Sequence, residues 1–213
     1  MDHRQQISRN PPAGSLYPEL RLKVTEESLP FFTTALQYGV EIETQADIPL
    51  GKFLDNIPGF SKRYLSETVQ TIFLDGTAID DLQMPLSGPH PVIALSAAMP
   101  GLAGAIFRKN GPHASLRTRP PVSAPNHCAQ GPITVTLKLF NRIAREKGEL
   151  LLFSGAVMAS SSLSDFLTKR TELLDKIKNA TLDSKPVPIE ELAGEVRGHE
   201  LLTLFVSAEI SPY

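Results

Sequence analysis

Cysteine is nearly absent from this chain of 213 residues: Cys128 stands alone. An internal disulfide is therefore impossible, which excludes a disulfide-stapled scaffold and leaves apolar burial to hold any fold together. Charge of one sign is not in excess either, with 21 Lys and Arg against 23 Asp and Glu. Residues 16–115 carry 7 bases against 11 acids, and residues 132–213 carry 10 against 11. A nucleic-acid binder needs clustered cations to neutralise phosphates, so nucleic acid is not an expected partner. Long hydrophobic runs are missing too. The best candidate, Gly88 to Phe107, is interrupted by His90, Ser96, three prolines and three glycines. It falls short of the roughly 20 apolar residues of a spanning helix, so no membrane is expected. Met1 to Ser15 has no apolar signal-peptide core, and the expected location is cytoplasmic. The G-x-S-x-G, C-x-x-C, H-E-x-x-H, Walker and kinase signatures are not found, which removes the recognisable nucleophilic, zinc-hydrolase and phosphoryl-transfer classes from the front. An enzyme is left open, the expectation leans to a non-enzymatic protein, and no cofactor is expected.

What is present is ordinary globular composition, 41% hydrophobic and 21% charged, over a length that suits one domain or two small ones. Proline punctuates the chain unevenly: half of the 18 prolines fall between Pro85 and Pro132. Residues 116–132, with Pro120-Pro121, Pro125 and Pro132 and little apolar pattern, read as a linker. Residues 1–15 read as a mobile tail, residues 16–115 as a first domain with an extra hairpin, and residues 133–213 as a second.

The two halves repeat each other. Val40-Glu-Ile-Glu43 alternates like a strand and is followed by Leu50-Gly-Lys-Phe53-Leu54; Gly155 to Ala159 and Leu163-Ser-Asp-Phe166-Leu167 follow the same order. Thr71 to Gly76 leads to Asp80-Asp81-Leu82 as Ala180 to Ser184 leads to Glu190-Glu191-Leu192. Ile93 to Ala97 answers Leu204 to Ala208. Four matches in register predict a duplicated unit of order β-β-α-β-β, opened by Leu20 to Val24 in one half and Ile133 to Phe140 in the other. In the second half, Phe166, Leu167, Leu173, Leu174 and Ile177 predict one helix capped by Ser162 or Ser164. The fold class expected is α+β, two tandem domains each with a mixed sheet and one main helix.

Val135 to Gly148, with Leu163-Ser-Asp-Phe166-Leu167 and the Phe73-Leu74-Asp75-Gly76 turn, resembles the β-grasp (ubiquitin-like) fold. It is similar in particular to the sulfur carriers of the molybdopterin-synthase small-subunit and thiamin-carrier type, over residues 133–209 and, less cleanly, 20–98. The resemblance implies the fold. That family's chemistry needs a C-terminal Gly-Gly, and this sequence ends Ile210-Ser-Pro-Tyr213, so the activity is not carried over.

Candidate sites are few. Met99, Gly101 and Gly104 lie in a run of small residues that lets a ligand or another backbone approach closely, or that simply packs. Asn110-Gly111 predicts a hairpin between Ala105 to Phe107 and Ala114 to Leu116, setting Arg108, Lys109, His113 and Arg117 together for a small anion or as a solvated basic edge. His127-Cys128 lacks the companions of a structural zinc site, so no metal is expected. Asp80-Asp81 and Glu190-Glu191 recur at equivalent turns, which fits a structural role. Three functions follow in order. The first is a non-enzymatic protein-interaction or adaptor module that pairs through exposed sheet edges with a protein partner or a second copy. The second is a sulfur-carrier relative activated by cleavage after Gly101 or Gly104. The third is a small-anion binder using residues 108–117.

Overall fold

The computed structural model describes residues 16–117 and 131–209. The expected tail, most of the Pro-rich segment and the His127-Cys128 pair lie outside the described residues. Strand β1 (Glu19–Val24) is followed by helix α1 (Leu29–Phe32), set between 3₁₀ turns at Glu26–Ser28 and Thr33–Gln37. Then come β2 (Val40–Gln45), α2 (Leu50–Asp55), α3 (Lys62–Glu67), β3 (Thr71–Leu74), β4 (Thr77–Ala78), β5 (Val92–Ser96) and α4 (Gly101–Phe107). A 3₁₀ turn at Ala114–Leu116 precedes β6 (Pro132–Phe140), α5 (Asn141–Ser154), β7 (Ala156–Ala159), α6 (Ser160–Lys169) and α7 (Thr171–Leu174). The chain continues through β8 (Ile177–Leu182), β9 (Lys185–Pro186), α8 (Leu192–Arg197) and β10 (Leu201–Ala208).

The fold is α+β with two five-stranded mixed sheets, of order β2-β6-β5-β3-β4 and β7-β10-β1-β8-β9. In each the two inner strands that run parallel, β5 with β6 and β1 with β10, are flanked by antiparallel neighbours. The alternation in the sequence accounts for one buried face per strand. Ile133, Val135, Leu137 and Leu139 of β6 and Leu20, Leu22 and Val24 of β1 point into the core, with the intervening residues on the opposite face.

The strand pairing differs from a sheet built by each half. β1, from the first half, lies between β10 and β8 of the second, and β6, from the second half, lies between β2 and β5 of the first. The Pro-rich segment therefore leads from β5 to the parallel strand beside it. Parallel neighbours require the chain to return the full strand length, and such a crossover needs a dozen or more residues. Ser96 to Pro132 supplies them.

The two hairpins recur in space, but the flanking strands do not keep the order expected of a repeat. The hairpins β3–β4 and β8–β9 turn through Asp75-Gly76 (φ 50° and 78°) and Asp183-Ser184 (φ 47° and 66°). Both residues of each turn are left-handed, as the two-residue hairpin with native twist demands. Asp75 then grips the start of β5 through two bonds: its N–H donates to the Val92 carbonyl at 2.9 Å, and its carboxylate accepts the Val92 N–H at 2.8 Å. Asp183 grips Glu19, at the start of β1, in the same way. So β1 is the spatial counterpart of β5. β10, matched to β5 in sequence, lies instead beside β7, where β6 lies beside β2. The position next to β8 is already filled by β1.

The buried apolar side chains form one contiguous cluster spanning both sheets. Helix α5 runs from β6 of one sheet to β7 of the other and buries Ile143, Ala144, Leu151 and Leu152. Its Gly148 sits against Thr33 and Leu36, where a methyl group would come within 2.7 Å of the Thr33 Cβ. The expected single helix of the second half is two: α6 ends where Arg170 leaves helical geometry (φ −127°, ψ 52°), and Ile177 opens β8. Neither expected serine caps it. The helix begins at Ser160, and the Ser164 hydroxyl donates to the Ala193 carbonyl at 2.8 Å, tying α6 to α8.

Candidate functional site

β5 ends at Ser96, and the chain turns through Ala97 to Pro100 into α4. Gly101 enters with φ +70°, a conformation that glycine adopts without cost. Gly104 is buried one turn later with the Met99 carbonyl against its α-carbon, and a side chain there would overlap that carbonyl. The expected hairpin is not formed. Residues 105–107 complete α4 and residues 114–116 form a 3₁₀ turn, while Asn110 keeps the positive φ (54°) that its turn signal suggested. Local i-to-i+4 bonding along Gly-Leu-Ala-Gly-Ala-Ile-Phe competes with strand pairing and prevails, because each residue's partner is one turn away.

The segment after α4 is clamped down by its basic residues. Arg117 donates to the Asp80 carboxylate at 2.7 Å, to the Ile106 carbonyl at 2.8 Å and to the Arg108 carbonyl; its side chain is only 8% exposed. Asp80 also accepts the Asn110 N–H at 3.4 Å. Lys109 donates its N–H to the Gln70 carbonyl and its ammonium to the Leu65 carbonyl at 2.8 Å. Burial pushes the Lys109 ammonium below its ordinary range, with the nearby Asp80 carboxylate opposing the shift. Two of the four expected anion-binding side chains, Arg117 and Lys109, are thus engaged in holding the fold, and His113 is exposed.

Arg108 is placed differently. Its Nε donates to the Gln70 Oε1 at 3.1 Å, which fixes the guanidinium on an exposed side chain. It stands at a cleft of about 490 Å³, to which Met99 and Gly104 also contribute, whereas Gly101, His113 and Arg117 do not. Ala97, Ala98, Met99 and Ala105 make its floor apolar, and Thr68, Thr71 and Asn141 also line it. The one carboxylate lining it, Glu67, is held by Arg63 at 3.0 Å.

Asn141 and Arg142, absent from the sequence candidates, complete the cleft from the first turn of α5. Asn141 has φ +54°, and its amide donates to the Ala98 carbonyl at 3.3 Å, joining the α5 start to the turn after β5. The signal for α5 was there in Ile143-Ala144 and Leu151-Leu152, two apolar pairs eight residues apart on one helical face. Arg142 pairs with Glu146, which also accepts the Tyr64 hydroxyl at 2.8 Å, while the Lys147 ammonium lies 4.0 Å above the Tyr64 ring. Burial, then the bond to Glu146, pushes the Tyr64 phenol well above its ordinary range. The bonds from Arg142 and Tyr64 hold Glu146 below the usual carboxylate range.

No family model matches the chain, and no curated protein or solved structure matches it. Among the described residues no helix is long and apolar enough to cross a membrane, and no cluster of His, Cys, Asp and Glu is arranged to hold a metal ion.

Proposed function

We propose that this protein is a protein-interaction module with a β-grasp-like framework, and that the cleft at the end of β5 receives a carboxylate-bearing segment of a partner protein. The framework reading is supported by the order β2-β6-β5-β3-β4, with a parallel central pair and α2 between β2 and β3. The observation that carries the site reading is Arg108. Gln70 orients its guanidinium from one side, leaving the donors at its far end for a carboxylate, and the apolar floor accepts an aliphatic side chain beside it. Pairing through open sheet edges has little support. The outer edges, β4 and β9, are two residues long, and Pro186 in β9 has no N–H to donate. The sulfur-carrier alternative requires an extended tail after β5, where α4 begins instead.

A photo-crosslinking residue at Ala105, on the cleft floor, tests this in the producing cell. The expected result is a discrete crosslinked product that Arg108→Glu abolishes and that the same crosslinker at Lys185, on β9, does not give. Absence of a discrete product, or an equal yield from the Arg108→Glu chain, overturns the reading. A product of twice the chain mass identifies the partner as a second copy.

A further inference from the structure

The two sheets meet edge to edge. β2 and β7 are edge strands of different sheets and lie side by side without a hydrogen-bonded ladder between them. Two valleys open along this seam, one of about 330 Å³ and one of about 420 Å³. Glu41, Glu43, Ser154 and Val157 line both. Neither lining includes a lysine or an arginine. In the smaller valley, Glu41 and Glu43 stand beside Val157, Leu16, which is 81% exposed, and the Phe205 ring, over which the Arg21 guanidinium stacks at 4.0 Å while paired to Glu19.

Glu41 and Glu43 are two apart on one strand, so they point to the same face and repel. Glu41 accepts the Thr136 hydroxyl at 3.0 Å, and neither carboxylate has an ion-pair partner among the described residues. Charges on an edge strand commonly keep other strands away. Here that protection is redundant, because β7 already covers the edge. Paired carboxylates beside the exposed Leu16 and the half-buried Val157 and Phe205 match a segment that carries cations and apolar side chains by turns.

Resting on the interaction-module reading, we infer that the smaller valley is a second docking surface, for an extended basic and apolar segment of a partner protein. Lysine or arginine side chains pair with Glu41 and Glu43, and the alternate apolar side chains lie against Val157 and Leu16, beside the Phe205 ring that Arg21 covers. This surface is opposite in charge to the Arg108 cleft, so one chain engages two segments of different chemistry.

Fluorescence anisotropy of the full chain with labelled acetyl-(Lys-Val)4-amide tests the assignment. The expected result is saturable binding that weakens about tenfold in the Glu41→Gln/Glu43→Gln chain, the loss of two partly exposed ion pairs. Val157→Glu, at the valley wall, is expected to weaken it through the apolar contacts, with the circular dichroism spectrum unchanged in both variants. Acetyl-(Glu-Val)4-amide is expected not to bind, and Arg108→Glu to leave binding intact, so that failure of the cleft reading is seen separately. Equal affinity for the double variant, comparable binding of the acidic peptide, or no binding by the unmodified chain overturns the inference.

Discussion

Asp183 holds Glu19, 164 residues away in sequence, by two hydrogen bonds of 2.9 Å: its carboxylate accepts the Glu19 N–H, and its own N–H donates to the Glu19 carbonyl. This pins the first strand of the chain beside β8 and thereby sends β10 to the other side of β1. Asp183→Ala removes a charged acceptor and places alanine at φ +47°. The expected loss is about 2 kcal/mol of unfolding free energy. Asp183→Asn keeps an acceptor and tolerates the left-handed backbone, so it is expected to lose about 1 kcal/mol or less. Asp75→Ala is the matched change on the other sheet and is expected to cost the same. Urea unfolding of the three variants measures this, and a shift for Asp183→Ala no larger than for Asp183→Asn contradicts the clamp.

Gly104 and Gly194 predict opposite signs for one substitution. Both lie within helices, where alanine normally gains about 1 kcal/mol over glycine. Around Gly194 nothing stands within 4 Å of an added methyl group, and Gly194→Ala is expected to raise stability by about 0.5–1 kcal/mol. At Gly104 the methyl meets the Met99 carbonyl, so the turn that floors the cleft must shift. Gly104→Ala is expected to lower stability by about 1–3 kcal/mol, as overpacking does. Thermal unfolding of both proteins checks the contrast, and a rise for Gly104→Ala would show that the turn yields freely.

The elements themselves were legible where pattern and local chemistry agree. Thr134 to Phe140 alternates and forms a strand with one buried face, and Asp75-Gly76 and Asp183-Ser184 make the turns their residue types favour. Strand neighbours were not legible, because alternation specifies which face is buried and nothing about which strand lies alongside. Leu204 to Ala208 resembles Ile93 to Ala97 in sequence and sits in a different place in its sheet for that reason. The cleft was half legible. Met99, Gly104 and Arg108 come from one stretch of chain, whereas Asn141 and Arg142 reach it from α5, which follows β6 directly.

Arg117 is a fastener for α4. Arg117→Ala removes its bonds to Asp80, Ile106 and Arg108, and Arg117→Lys cannot reproduce the guanidinium fork. Both are expected to destabilise the chain, the alanine variant by about 1–2 kcal/mol, since Asp80 remains partly solvated. The local effect is the sharper readout. Amide hydrogen exchange across residues 104–110 is expected to accelerate while β6 and β10 keep their protection, and unchanged exchange in that segment would assign Arg117 no holding role.

Tyr64 and Glu146 give the pH dependence. The folded phenol titrates above its ordinary range because burial and the Glu146 bond both favour the protonated form. Its contribution to stability is therefore complete below pH of about 10, the ordinary phenol value, and is lost as pH rises from there through the folded pKa. Glu146 is shifted the other way, so its contribution is complete above the ordinary carboxylate range and is lost as pH falls through its depressed pKa. Its exposure keeps that acid-side effect small. Following phenolate absorbance with pH, Tyr64 is expected to ionise late, and the Tyr64→Phe chain identifies its share of the signal. Glu146→Gln removes the carboxylate charge and is expected to bring Tyr64 ionisation part of the way back toward ordinary pH, with burial accounting for the remainder. An unchanged titration in Glu146→Gln would mean that burial alone protects the phenol, and that α3 and α5 are not joined through this bond.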